Sequence, residues 1–321
     1  MSEYQTIYHF KNANNEAKIL GPNNQYWRML EDYYQTEVLI RHSEVKIALN
    51  HPLSALLERY FNVVETILEN KVPLSEMDLL SIMRNLTLDN QDDIISLFLK
   101  KQVLLITHSG KAVYPRTFTQ KKFIDSLSKN DIIFAVGPAG TGKTYLSVLY
   151  AVSLLKANLV KKIILVRPIV EAGEKLGYLP GDVKEKIDPY LIPLYDGLYE
   201  ALGKETAIKM QERGNIEIAP LAYMRGRTLE DAIVILDEGQ NATLIQMKMF
   251  LTRLGFGSKM IITGDITQID LPNRLHSGLV EALDLFNDIP GIAVITFSNV
   301  DVMRNPLVQK IIQKYEGRYG N

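Results

Sequence analysis

The stretch from Asp131 to Ala157 limits what this chain can fold into more than any other. Asp131-Ile132-Ile133-Phe134-Ala135-Val136 is an apolar run of strand length, Gly137-Pro138-Ala139-Gly140-Thr141-Gly142-Lys143-Thr144 follows it, and Tyr145-Leu146-Ser147-Val148 opens a helical pattern. The middle segment fits G-x-x-x-x-G-K-[ST] at every fixed position, and it stands between a strand and a helix, the context that gives the motif its meaning. Gly137, Gly140 and Gly142 let backbone N–H groups approach phosphate oxygens with no Cβ in the way, and the helix start near Lys143 adds its positive end. Pro138, Ala139 and Thr141 complete the cradle. Lys143 is expected to reach the β- and γ-phosphate oxygens, and the Thr144 hydroxyl to ligate Mg²⁺. A glycine-rich turn that binds nothing is the alternative, and it leaves Lys-Thr at a helix start without a packing reason.

A chain of 321 residues has room for a large core, and its length alone argues for about two domains. Hydrophobic residues at 46% and charged residues at 23% belong to a soluble globular protein. A net charge of -1 provides no bulk basic field, so a nucleic-acid partner has to be held by a local patch. Cysteine is absent, which excludes disulfides, thiolate chemistry and cysteine metal sites. His9, His42, His51, His108 and His276 lack ligand spacing. With no signal-peptide pattern at the N-terminus and no apolar run of spanning length, a cytoplasmic protein without a membrane partner is expected.

Residues 1 to about 50 alternate like a small α+β unit. Tyr4 to Phe10 is strand-like, and Asn24 to Tyr34 has helical spacing at Trp27, Leu30 and Tyr33/Tyr34. Val38 to Ile40 and Val45 to Leu49 pair as a hairpin through His42 and Ser43. Helical periodicity then runs from Pro52 to Leu68, with Leu53, Leu57, Phe61 and Val64 on one side. Ser75 with Asp78 reads as a capping box, and Asp89 or Asn90 as the cap of a further helix. Val103 to Thr107 and Ala112 to Tyr114 read as a second hairpin, and the domain boundary falls between about 102 and 116. From Phe118 onward apolar runs at 132–136, 163–166, 216–219, 232–236, 259–263 and 292–297 alternate with helical segments. That pattern predicts an α/β fold, a mostly parallel sheet with helices on both faces and ligands at the carboxyl ends of its strands.

Three further segments carry chemistry. Ala232-Ile233-Val234-Ile235-Leu236 is an apolar strand ending in Asp237-Glu238, as a Walker B element does. Asp237 is expected to hold Mg²⁺ through water and Glu238 to polarise the attacking water, so the pair points to hydrolysis rather than transfer to a small molecule. After Met260 to Thr263 comes Gly264-Asp265-Ile266-Thr267-Gln268, where Gln268 is placed to sense a γ-phosphate. Gln120, upstream of the P-loop strand, carries an amide that can read N6 and N7 of adenine and so favour ATP. Arg225, Arg227, Arg253 and Arg304 are candidates for a charge-stabilising finger, with a surface salt bridge as the alternative for each.

Together these segments resemble the PhoH family, whose core is related to superfamily 1 helicase motors. The resemblance rests on Pro115 through Gln120, the P-loop, the run Arg167-Pro168-Ile169-Val170-Glu171-Ala172-Gly173-Glu174 continuing to Asp182, and Met224-Arg225-Gly226-Arg227-Thr228-Leu229. It extends over Asp237-Glu238-Gly239-Gln240-Asn241, Thr252 to Gly255, Thr263 to Pro272 and Asp301 to Val308. Where the family usually has Ala and His, this chain has Gly239 and Asn305. The resemblance implies a RecA-like P-loop ATPase domain over 106–321, preceded by a KH-like α+β N-terminal domain with a helical extension over 1–105. It also implies ATP and Mg²⁺ as ligands, and work on single-stranded or ribosomal RNA, with a ribosome-maturation protein as a further partner.

Gly21-Pro22-Asn23-Asn24 stands where a KH fold has its G-x-x-G loop but lacks the second glycine, so RNA binding and plain docking both stay open for the N-terminal unit. The loop from Glu171 to Asp182 reads equally as a nucleic-acid contact or an oligomer-packing element. Only 178 residues follow Lys143, too few for a second motor core. A ring-forming homo-oligomer, a hexamer, is therefore expected, with Arg304 or Arg253 reaching a neighbour's ATP site. An ATP-gated adaptor that binds a protein partner is the other reading.

Overall fold

The computed structural model describes residues 3–100, 102–169, 183–271, 277–286 and 288–303, together with Leu307, Val308, Ile311 and Lys314. The chain divides into two compact units. One comprises Met1–Gln102 with Arg116–Phe118, the other Val103–Pro115 with Thr119–Asn321. Among the described residues no helix is long and apolar enough to cross a membrane.

The first unit runs β1 (Tyr4–His9), α1 (Ala13–Leu20), α2 (Gln25–Tyr34), β2 (Leu39–Arg41), β3 (Glu44–Ala48), α3 (Ser54–Glu69), α4 (Glu76–Asn85) and α5 (Gln91–Leu99). Its sheet has the order β1-β3-β2 with both pairings antiparallel. The predicted hairpin forms because His42 and Ser43 both take positive φ, 53° and 62°, the two-residue turn whose twist matches the flanking strands. Val45 and Ile47, two residues apart, bury one face of β3 within the same cluster as Leu57, Phe61 and Val64 of α3. Each fully buried side chain of this size contributes about 1.5–3 kcal/mol.

Helix α4 starts in the predicted capping box: Ser75 Oγ accepts from the Asp78 N–H at 3.3 Å, and Asp78 Oδ2 accepts from the Ser75 N–H at 2.9 Å. Asn90 stands at the N-cap of α5 but turns its side chain the other way. Its Oδ1 accepts from the Thr87 N–H at 2.8 Å and its Nδ2 donates to Asn85 O at 2.7 Å, so it ties the loop instead of capping the helix. Helix α1 is an addition to the sequence reading. Its Asn-rich start gives little periodic signal, and it is anchored from a distance by Asn15 Nδ2 donating to Glu65 Oε1 at 3.1 Å.

The second unit opens with a short hairpin, β4 (Leu105–Ile106) and β5 (Ala112–Val113), followed by α6 (Phe118–Lys129), which begins in the first unit's segment. There follow β6 (Ile132–Val136), α7 (Lys143–Lys156), β7 (Lys162–Arg167), α8 (Val183–Leu202), α9 (Lys204–Glu212) and β8 (Ile216–Pro220). The chain continues through β9 (Ala232–Leu236), α10 (Leu244–Leu251), β10 (Lys259–Gly264), α11 (Gly278–Leu285) and β11 (Ile292–Thr296). The six long strands form one sheet in the order β11-β6-β10-β9-β7-β8, and every ladder is parallel.

The apolar runs are continuous because the sheet is covered on both faces. Ile133 and Ala135 of β6, Ile233 and Ile235 of β9 and Ile261 of β10 join one core, with Leu149 of α7 and Leu194 and Leu198 of α8. Their neighbours Phe134, Val136, Val234, Leu236 and Ile262 join the other, with Phe250 of α10 and Leu279 of α11. This is the parallel sheet with helices on both faces that the alternation predicted. Strand β10 lies between β6 and β9, and register pairs Gly264 with Val136, Ile262 with Leu236 and Leu236 with Val166. The residues that follow these strands therefore emerge side by side at one edge of the sheet.

Candidate functional site

The segments that leave the carboxyl ends of β6, β9 and β10 meet in one pocket. Its volume is 280 Å³, and its walls include Gly140, Lys143, Thr144, Asp237, Glu238 and Gln268. The loop after β6 turns through Gly137, Gly140 and Gly142 at φ 141°, 83° and 85°. At Gly137 the glycine is required twice over: an added Cβ there would stand 2.3 Å from Phe297 O, and the φ is one that L side chains rarely adopt. The Gly137 N–H donates to Gly264 O at 3.1 Å, and the Met303 N–H donates to Gly140 O at 2.8 Å, so β10 and the segment after β11 both brace the loop.

Lys143 is buried at the start of α7, and its Nζ donates to Gly137 O at 2.7 Å and Pro138 O at 2.8 Å, inside the loop it belongs to. Thr141 Oγ1 donates to Pro138 O at 3.0 Å. Ala139, Gly140 and Gly142 line the pocket. An ammonium group within an arc of backbone amides at a helix N-terminus makes a cradle for phosphate oxygens.

The metal-binding expectation falls on Thr144 and Asp237. Thr144 Oγ1 donates to Asp237 Oδ1 at 2.6 Å, and Thr263 Oγ1, from β10, donates to the same oxygen at 2.8 Å. A hydroxyl and a carboxylate converging at the phosphate cradle are hard oxygen donors of the kind Mg²⁺ takes, with water and phosphate filling the remaining positions. Among the described residues no group of three or more His, Cys, Asp or Glu could hold a metal ion.

Glu238 follows Asp237 in the left-handed region, at φ 52°. A non-glycine residue there is strained and is held by its surroundings. Gln240 Nε2 donates to Glu238 Oε2 at 2.6 Å, and Arg167 NH2 to Glu238 Oε1 at 3.3 Å. Gln240 also ties the next loop, donating to Gln268 O at 3.2 Å and accepting from the Asp265 N–H at 3.0 Å. Gln268 Nε2 donates to Asp265 Oδ2 at 2.7 Å. The residue expected to sense phosphate thus lines the pocket and shares a network with the carboxylate expected to polarise water.

Gln120 is buried, and its Nε2 donates to Thr141 O at 3.0 Å. The structure thus places it against the P-loop as a brace. Arg253 does not line the pocket. Its Nε, NH1 and NH2 donate to Met249 O, Arg227 O and Thr252 Oγ1 at 3.1, 3.0 and 3.2 Å, which fastens the end of α10 within its own chain. Arg227 pairs with both carboxylate oxygens of Glu217, at 2.6 and 2.8 Å, and Arg225 is exposed. Arg304, Asn305 and the loop from Glu171 to Asp182 lie outside the described residues.

Sequence reading assigned no role to Arg167, Thr263, Gln240 or Asp265. Each stands at or just beyond the carboxyl end of an apolar strand, and that position is the signal that finds them.

A family model described as PhoH-like protein matches residues 112–316. A PhoH-like protein of Bacillus subtilis (strain 168) is 44% identical over 306 residues, which cover 95% of this chain and 95% of that protein. A PhoH-like protein of Synechocystis sp. is 51% identical over 243 residues, 76% of this chain and 74% of its own length. Among solved structures, the large terminase from a thermophilic bacteriophage aligns over 59% of this chain and 46% of its own, with 15% identity and a TM-score of 0.37, too slight a likeness to carry an argument.

Proposed function

The chain belongs to the PhoH-like protein family and is a P-loop NTPase, and from that premise we propose that it binds ATP with Mg²⁺ and hydrolyses it in work on RNA. The observation that carries the reading is the hydrogen bond of Thr144 to Asp237, 2.6 Å long, beside Lys143 and Glu238 in one pocket. Backbone N–H groups of the P-loop and Lys143 bind the phosphates. Thr144 and Asp237 hold the cation, which when bound supplies Lewis-acid neutralisation of phosphate charge. Glu238 takes a proton from the attacking water as the γ-phosphoryl group leaves its bridging oxygen, and Gln268 reads the γ-phosphate.

The test is steady-state ATP hydrolysis by the intact chain and by Glu238→Gln, with and without single-stranded RNA at fixed salt. Turnover that RNA raises and the variant abolishes supports the proposal. Turnover that Glu238→Gln leaves intact overturns it.

A second reading, an ATP-gated adaptor that docks a protein, draws on the first unit. Residues 1–102 hold ten Lys and Arg against fourteen Asp and Glu. In the loop before α2, Asn23 and Asn24 take φ 50° and 59° where a second glycine would serve a backbone clamp. An acidic unit repels a phosphate backbone, so RNA-indifferent hydrolysis would favour this reading. The proposal includes a homo-oligomeric ring with a finger from the neighbour. With Arg253 engaged in its own chain, Arg304 is the candidate for that finger, and a monomer in sedimentation with full turnover would exclude it.

A further inference from the structure

Glu238 has a donor on each carboxylate oxygen, and one of the two is a cation. Arg167 NH2 stands 3.3 Å from Oε1, while Gln240 Nε2 stands 2.6 Å from Oε2. The pairing follows from the sheet. Arg167 is the last residue of β7, and β7 lies beside β9 with Val166 opposite Leu236, so Arg167 and Glu238 leave neighbouring strand ends within one residue of the same level. Both side chains are partly exposed, 21% for Arg167 and 38% for Glu238, so the contact can be broken without unfolding a core. The backbone of Glu238 is at φ 52°, a conformation its surroundings have to hold.

A carboxylate that is to take a proton from water works best with a free, basic oxygen. A guanidinium hydrogen-bonded to it occupies one of its lone pairs and competes with water for that oxygen. The pair therefore restrains the group on which hydrolysis depends. We propose that Arg167 is a positioning residue that holds Glu238 back and keeps basal turnover low, an inference that rests on the ATPase reading. The pair itself includes neither Lys143 nor Thr144, so nucleotide affinity is expected to be independent of it.

The experiment measures kcat and KM for ATP in the intact chain, Arg167→Gln, Arg167→Met, Arg167→Lys and Glu238→Gln, with equilibrium binding of a fluorescent ATP analogue to each. Removing the cation is expected to raise kcat about two- to fivefold, the scale of a partly exposed ion pair, while KM and analogue affinity stay within about twofold. Arg167→Lys falls between. The two neutral variants differ in shape, and analogue binding reports that each is folded. A kcat that falls or stays level in the neutral variants, or that moves together with KM, overturns the inference while Glu238→Gln remains inactive. Turnover unaffected by Glu238→Gln removes the ATPase reading, and the inference with it.

Discussion

Thr144 and Asp237 are 93 positions apart in the chain and share a hydrogen bond of 2.6 Å. They meet because β10, inserted between β6 and β9, aligns the ends of all three strands and adds Thr263 Oγ1 to the same carboxylate oxygen at 2.8 Å. A hydroxyl oriented this way has its lone pairs available to a cation at the phosphate cradle.

Removing either partner is expected to weaken the cation site more than the fold. Thr144→Ala or Asp237→Asn should lower apparent Mg²⁺ affinity about 10- to 100-fold, read as the Mg²⁺ dependence of ATP turnover. An unchanged Mg²⁺ titration would remove both residues from the site.

Glu238→Gln keeps the shape of the side chain and removes its basicity. Turnover is expected to fall about 10²- to 10⁴-fold while binding of a fluorescent ATP analogue persists. Loss of binding in step with turnover would mean that Glu238 organises the loop and does not act on water.

Gly137→Ala is expected to disable the phosphate cradle. The added Cβ meets Phe297 O, a backbone atom with no easy escape, at a φ of 141°. The strain is about 1–3 kcal/mol, and analogue binding should be lost or strongly weakened. An alanine variant that binds like the parent would show that the loop relaxes freely.

Glu65 is a structural counterpart in the first unit. Its buried carboxylate accepts from Tyr8 OH at 2.7 Å, the N–H groups of Lys11 and Asn12 at 3.2 Å each, and Asn15 Nδ2 at 3.1 Å. Burial opposes the charge, but the donors from Tyr8, Asn15, Lys11 and Asn12 outweigh it and hold the carboxyl below its usual value of 4.5. A depressed folded-state value stabilises the fold above pH 4.5, and that contribution is lost as pH falls through the lowered value. Glu65→Gln turns one of the two acceptor oxygens into an NH2 group facing donors and is expected to cost about 1–3 kcal/mol at neutral pH. Trp27, the one tryptophan, lies in this unit with Nε1 donating to Val38 O at 2.8 Å, so urea unfolding followed by its fluorescence reads the cost directly. The gap between parent and variant should narrow as pH falls below 4.5 and through the lowered value, and a gap unchanged by acid would contradict the assignment.

Much of the architecture was legible because it depends on neighbours in sequence. Glycines at 137, 140 and 142 with Lys143 specify a phosphate loop locally, the continuous apolar run at 232–236 announces a strand buried on both faces, and Ser75 with Asp78 caps α4 as read. Helix α1 stayed hidden because its Asn-rich sequence has little propensity or period of its own, and Glu65, some fifty residues on, supplies the contact that anchors it. Arg253 looked available because an arginine's partners do not show in its neighbours. Its three donor groups are taken by Met249, Thr252 and the distant Arg227.

The sequence by itself determined which residues can bind phosphate, hold a cation and take a proton, since those are properties of side chains and short loops. Only the tertiary structure decided which of them meet. Parallel register brings Thr263 to Asp237, Arg167 to Glu238 and Gln240 to Gln268, and the packing of α6 sets Gln120 against the P-loop. The physical reason is that strand order and register are set by how two apolar layers pack on the sheet. Those contacts are long-range, and no local pattern around Asp237 or Glu238 encodes them.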